Sequence, residues 1–228
     1  MIDFYKNLKP EHEKYINPHG KKYNIFHPCR ILIVGSSGSG KTNLLLNLIN
    51  NLNCFEKYYL FVKLAGDDPL YEEVLVPKLQ EAGAGLQYTI LEKYTDDISE
   101  LPDIRSDEIN SDCQNLFVFD DMIDEEKRDL SRIESYFTKA RKRNCSLIFI
   151  SQDYYSTPIK IRRNCTHIIF TKINSDIDLQ NIYRDLTKQV FRTFDEFKQA
   201  TNHPFIIFKN ETGPARYLTI NDTLCSRD

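Results

Sequence analysis

The sequence predicts an α/β protein: a three-layer sandwich with a mainly parallel sheet covered by helices on both faces. Three observations carry this. Apolar runs of strand length, "ILIV" (31–34), "LFVF" (116–119) and "LIFI" (147–150), alternate with helical segments, the pattern of strands buried on both faces. A glycine-rich loop lies between the first run and a leucine-rich helix. The end of the chain, 205–220, reads as a closing β-hairpin turning at Gly213-Pro214.

Taken in order, residues 1–28 contain the breakers Pro10, Pro18 and Pro28 and read as an irregular N-terminal arm before a single domain over 29–228. After the strand at 31–34, a helix begins at Thr42 with Leu44, Leu45, Leu48 and Ile49 on one face. "KYYLFVKL" (57–64) is a second strand, "YEEVLVPKLQEAG" a helix ended by Gly83, and "LQYTILE" (86–92) a third strand. "NLFVFDDM" (115–122) is an apolar strand ending in two carboxylates, followed by a helix over 125–144. Strands at 146–153 and 166–172 come next, then helices in "SDIDLQNIYRDL" and "TFDEFKQATN".

Composition limits the function classes. Apolar residues are 41% of 228 and charged residues 28%, an ordinary globular balance. No apolar run approaches the roughly 20 residues that cross a bilayer, and "MIDFYKNLKPEHEKYINPHGKKY" has no signal-peptide core, so a soluble intracellular protein without membrane insertion is expected. Six cysteines, at 29, 54, 113, 145, 165 and 225, form no CxxC pair or zinc-type cluster and read as reduced structural residues. The net charge is −3, yet Lys139 to Lys172 carries eight Lys/Arg against Asp153 alone. That asymmetry suits either a polyanion-facing surface or a solvated helix end and basic loop.

Gly35-Ser36-Ser37-Gly38-Ser39-Gly40-Lys41-Thr42 is the P-loop pattern GxxxxGK[ST]. Glycines let the chain wrap with its N–H groups inward, and the following helix adds its positive end, so this segment is suited to hold the phosphates of a nucleotide such as ATP. Lys41 supplies a point charge between β- and γ-phosphates, and Thr42 a hydroxyl for Mg²⁺. Asp120 and Asp121 close an apolar strand at the edge where ligands of parallel sheets bind. Asp120 is placed to hold Mg²⁺, and Asp121 to orient or deprotonate the attacking water; capping the next helix or facing solvent is the alternative for Asp121. The strand at 86–92 lies in sequence between the P-loop strand and the acidic strand, which argues for a sheet with an additional strand between those two. No guanine-reading NKxD is present.

Gln152 ends its strand where it can sense γ-phosphate; a polar strand terminus is the alternative. Arg141, with Arg143 as substitute, is the candidate arginine finger donated to a neighbour's nucleotide, against a helix-end charge that merely suits the dipole. Arg162, Arg163 and Asn164 precede a strand and suit phosphate, a neighbouring subunit or DNA, with solvated loop charges as the alternative. Tyr154 and Tyr155 either pack locally or line a nucleic-acid channel.

Together, "GSSGSGKT" (35–42), "LFVFDD" (116–121), "ARKRN" (140–144), "LIFISQD" (147–153) and "IRRNCTHIIF" (161–170) resemble, in order, the poxvirus-type genome-packaging ATPases of large eukaryotic DNA viruses and virophages, within the FtsK–HerA superfamily. The resemblance covers about residues 25–172. It implies a Mg²⁺-dependent ATPase in a homo-oligomeric ring, pentameric or hexameric. Such a motor drives double-stranded DNA into a preformed capsid at a portal-like vertex, in the host cytoplasm at the viral factory, and is carried into the virion. By position it assigns Gly35, Gly40, Lys41 and Thr42 to phosphate and metal, Asp120 to metal, Asp121 to water activation, Gln152 to sensing and Arg141 to the finger. The superfamily usually has Glu where this chain has Asp121. Two other readings stay open: an ATP-binding switch or assembly regulator with slow hydrolysis, and a small-molecule kinase.

Overall fold

The computed structural model describes residues 25, 27–84, 89–187, 191–201, 206–209 and 216–219. The strands are β1 (Arg30–Val34), β2 (Lys57–Val62), β3 (Ile90–Thr95), β4 (Asn115–Asp120), β5 (Cys145–Ser151), β6 (His167–Phe170), β7 (Ile206–Lys209) and β8 (Arg216–Thr219). The α-helices are α1 (Lys41–Leu52), α2 (Val76–Ala84), α3 (Lys127–Lys139), α4 (Ile159–Asn164), α5 (Asp176–Ile182) and α6 (Phe194–Ala200). A π-helical turn, Leu70–Leu75, leads into α2, and a 3-10 turn, Ala140–Arg143, follows α3.

One sheet runs in the order β3-β2-β4-β5-β1-β6-β7-β8. The pairs from β3 to β6 are parallel, and β7 and β8 add an antiparallel hairpin. The expected turn at Gly213-Pro214 lies outside the described residues. An additional strand does separate β1 from the acidic strand β4, and it is β5, later in the chain than both. The strand expected at 86–92 is instead β3, at 90–95 and at the far edge. Its limits follow from pairing with β2, from Lys57↔Ile90 to Phe61↔Thr95, rather than from its own apolar run. Arg162–Asn164, expected before a strand in irregular chain, lie in α4.

Period-two side-chain alternation builds two cores. Ile31 and Ile33 of β1 join Leu60, Val118 and Ile148 beneath α1 and α2, with Leu44, Leu45 and Leu48. Leu32 and Val34 join Phe61, Phe117, Phe119 and Phe149 beneath α3, α5 and α6, with Ile133, Phe137 and Phe197. Tyr59 stacks on Phe117 at 4.2 Å between ring centroids. Burying β1, β4 and β5 on both faces leaves their carboxyl ends as the edge for ligand chemistry.

Of the segment 1–28, Ile25, His27 and Pro28 are described. Ile25 is buried in the α1-side core. His27 Nε2 donates to Asn144 Oδ1 (2.6 Å), and Nδ1 lies 2.7 Å from Ser146 Oγ. Burial pushes this imidazole down to about 4. Ile25 and His27 thus pack against the residues that follow. Cys29, Cys145 and Cys165 are buried, and burial raises the first thiol to about 11. Among the described residues no helix is long and apolar enough to cross a membrane.

Candidate nucleotide site

Residues 35–40 connect β1 to α1 and are stitched to the ends of β5 and β6. Gly35 N–H donates to Ser151 O (3.2 Å) and Ser36 N–H to Lys172 O (3.0 Å). Ser39 Oγ lies 2.7 Å from Thr171 Oγ1, and Asn174 N–H donates to Ser36 Oγ (3.1 Å). The glycines serve two different ends. Gly38 and Gly40 have φ of 69° and 85°, where a side chain is strained. At Gly35 space decides: a Cβ there would lie 1.8 Å from Thr171 Oγ1. Gly40 caps α1 without a side-chain bond, so the helix opens with uncapped first-turn N–H donors and its positive dipole end toward the loop.

A cavity of about 440 Å³ lies against this loop. Its lining includes Ser37, Gly38, Ser39, Gly40, Lys41 and Thr42 from the loop and α1, and Asp120, Asp121 and Gln152 from the ends of β4 and β5. Gly35 and Ser36 stand behind as the base of the loop. Lys41 Nζ donates to Gly35 O (2.8 Å) and Ser36 O (3.0 Å). Burial lowers its pKa, opposed by the negative charges of Asp120 and Asp121. Lysine and both carboxylates thus share one crevice.

Asp120 is only 9% exposed. Its Oδ2 accepts from Tyr71 O–H at 2.7 Å. Burial raises this carboxyl to about 6, with the Tyr71 hydrogen bond pulling the other way. Asp121 sits in the left-handed region at φ 56°, which Asp tolerates better than most residues. Its side chain makes no cap bond, so the helix-capping alternative falls. Instead Asp121 Oδ2 accepts from Gln152 Nε2 at 3.0 Å. Pairing of β4 with β5 makes this contact, with Asp120 in register with Ile150.

The oxygen donors of Thr42 and Asp120 line the same cavity beside phosphate-type donors. That hard-oxygen set fits Mg²⁺ held between protein and nucleotide.

A raised Asp120 pKa is also a stability statement. Protonation favours the fold, so the contribution is complete below the usual carboxylate range and is lost as pH rises through about 6. The Asp120→Asn protein, without nucleotide or metal, is expected to gain about 2–3 kcal/mol on the wild type between about pH 4 and about pH 7.5. Urea unfolding of both proteins at both pH values checks this; parallel stabilities would refute it.

Arg141 is not at the cavity. It is exposed in the 3-10 turn before β5, at the amino end of a seven-residue strand whose carboxyl end carries Gln152. That is roughly 20 Å from its own chain's site at strand rise per residue. Arg143, the expected substitute, is engaged internally: its guanidinium donates to Ser106 O and Ile109 O, both at 2.9 Å. Arg162 is also internal, donating to Thr157 O and lying over the Tyr154 ring at 4.7 Å. Tyr154 is buried and Tyr155 donates to Asp185, so both tyrosines pack locally. Sequence reasoning missed Tyr71 and Thr171, and also Asp68 and Lys63, which line the cavity. Thr171 follows a buried strand, the signal that singled out Gln152. Tyr71, at an apolar helical position, gave no signal.

A parallel sheet with a loop of this form after β1, and a carboxylate strand one strand away, defines a P-loop NTPase. The chain belongs to the family described as Poxvirus A32 protein, whose model matches residues 21–223. The DNA packaging protein OPG160 of Variola virus is 29% identical over 164 residues, 70% of this chain and 58% of the relative. OPG160 of Monkeypox virus is also 29% identical over 164 residues, covering 52% of its length. The chain thus aligns with little more than half of these relatives. Among solved structures, the genome packaging NTPase B204 from Sulfolobus turreted icosahedral virus 2, in complex with ATP-gammaS, superposes with a TM-score of 0.56 at 14% identity. That match covers 83% of this chain and 95% of B204. The cytoplasmic domain of EssC gives 0.54 at 14% identity, covering 73% and 36%. Both are likenesses of fold.

Proposed function

We propose that this chain is a Mg²⁺-dependent ATPase that moves double-stranded DNA into a preformed viral capsid, working as a homo-oligomeric ring. The observation that carries the reading is the single cavity shared by Lys41, Thr42, Asp120, Asp121 and Gln152. The names of the OPG160 relatives and of B204 support the cargo.

The loop N–H groups and the start of α1 bind the triphosphate tail. Lys41 exchanges its two carbonyl partners for β- and γ-phosphate oxygens. Thr42 and Asp120 would hold Mg²⁺, which when bound neutralises phosphate charge. Asp121 accepts the proton of the attacking water, and Gln152, donating to the same carboxylate, keeps it aimed. Its short side chain limits reach, and the left-handed backbone at 121 is what presents it. Arg141 serves a neighbouring chain's nucleotide.

ATP turnover with and without long duplex DNA tests the function. Marked stimulation is expected, and Lys41→Ala is expected to lose essentially all turnover, stimulated or not. Equal activity in that variant would defeat the site. Slow turnover indifferent to DNA would favour an ATP-binding switch.

A further inference from the structure

The geometry assigns to Tyr71 the role of positioning Asp120 for the metal. This rests on the reading of Asp120 as a Mg²⁺ ligand. Tyr71 is fully buried, and its hydroxyl donates to Asp120 Oδ2 at 2.7 Å. Among the described residues no protein donor bonds the other oxygen, Oδ1, while Asp120 itself lines the nucleotide cavity. One oxygen is therefore tied into the core and the other is left to the site. A carboxylate free to turn about its χ2 torsion would divide its time among orientations. The phenol removes that freedom and satisfies the buried oxygen, as outer partners of metal ligands do.

The placement is built rather than incidental. Tyr71 belongs to the π-helical turn Leu70–Leu75, a wide turn that often marks a functional position. The turn begins where Asp68 Oδ1 accepts from Leu70 N–H (2.9 Å). The Tyr71 ring stacks near-parallel on Tyr94, with centroids 6.1 Å apart, and packs in the core beneath α1. Held on both sides, the phenol has one direction to donate. Tyr71 touches no substrate atom; it acts through Asp120.

The test is Mn²⁺ binding, followed by electron paramagnetic resonance, to the full chain loaded with a non-hydrolysable ATP analogue. Tyr71→Phe is expected to weaken Mn²⁺ about 10–100-fold, the usual cost of losing such a partner. Affinity for the analogue in EDTA should stay at the wild-type value. Tyr94→Phe, which alters the neighbouring ring without touching Asp120, should bind Mn²⁺ normally. The proposal is overturned if Tyr71→Phe binds Mn²⁺ like the wild type, if its metal-free analogue affinity falls by the same factor, or if Tyr94→Phe loses Mn²⁺ equally. Asp120→Asn separates the two levels. Normal Mn²⁺ binding there sinks the metal reading, and the role of Tyr71 with it. Loss there together with normal binding in Tyr71→Phe sinks only the positioning role. In the wild type, adding Mg²⁺ to the nucleotide-loaded chain should slow amide exchange across Leu70–Leu75. This readout survives a variant that fails to fold, and unchanged exchange also overturns the proposal.

Discussion

Arg141→Ala is expected to reduce ATP turnover of the assembled protein by about 10³–10⁵-fold, the range for removing an arginine finger, while nucleotide affinity changes little. The structure makes this a statement about neighbours. Arg141 is exposed at the amino end of β5, and its own chain's cavity is at the carboxyl end. No rotamer of a side chain about 7 Å long spans a gap of roughly 20 Å. Mixing therefore gives the sharpest readout. In assemblies of Arg141→Ala with Asp121→Ala chains, some interfaces pair an intact carboxylate with an intact guanidinium. Partial activity should return there, although neither variant is active alone. Wild-type turnover in Arg141→Ala by itself would end the assignment. Arg143, by contrast, donates to two backbone carbonyls of its own chain.

Gly35→Ala is expected to cost about 3 kcal/mol of stability and most of the nucleotide affinity. Its Cβ would meet Thr171 Oγ1 at 1.8 Å, Ser39 Oγ at 2.7 Å and Thr171 Cβ at 3.0 Å. Thr171 is buried and bonded to Ser39, so it cannot swing clear. Either the loop moves off β6 or the strand shifts. Adding Thr171→Ala removes the nearest obstacle, and the double variant should recover part of both losses. Urea unfolding and titration with a fluorescent ATP analogue measure the two effects. A single variant as stable and as tight-binding as the wild type would show that the loop relaxes freely.

Much of this site was legible because its chemistry is local. The loop from Gly35 to Thr42 is contiguous, and Asp120 and Asp121 close a run whose apolarity announces a buried strand. Gln152 followed by the same logic, and its contact with Asp121 confirms that the two strand ends meet. What the sequence withheld depends on pairing between distant segments. Nothing in "LIFIS" says that it, rather than an earlier strand, enters between β1 and β4. Arg141 and Arg143 are indistinguishable as letters; only the path of Ser106–Ile109 shows which is occupied. Tyr71 looked like core because it is core, and its hydroxyl gains meaning only from a carboxylate 49 positions away.

The separation of cavity and Arg141 to opposite ends of the same strands has a geometric corollary. Two copies can exchange this contact reciprocally only if their strands run antiparallel about a two-fold axis, whereas copies whose strands run the same way give it in one direction alone. Copies joined this way share one sense of direction, each giving forward and receiving from behind, and such a series must either close on itself or run on as a helix.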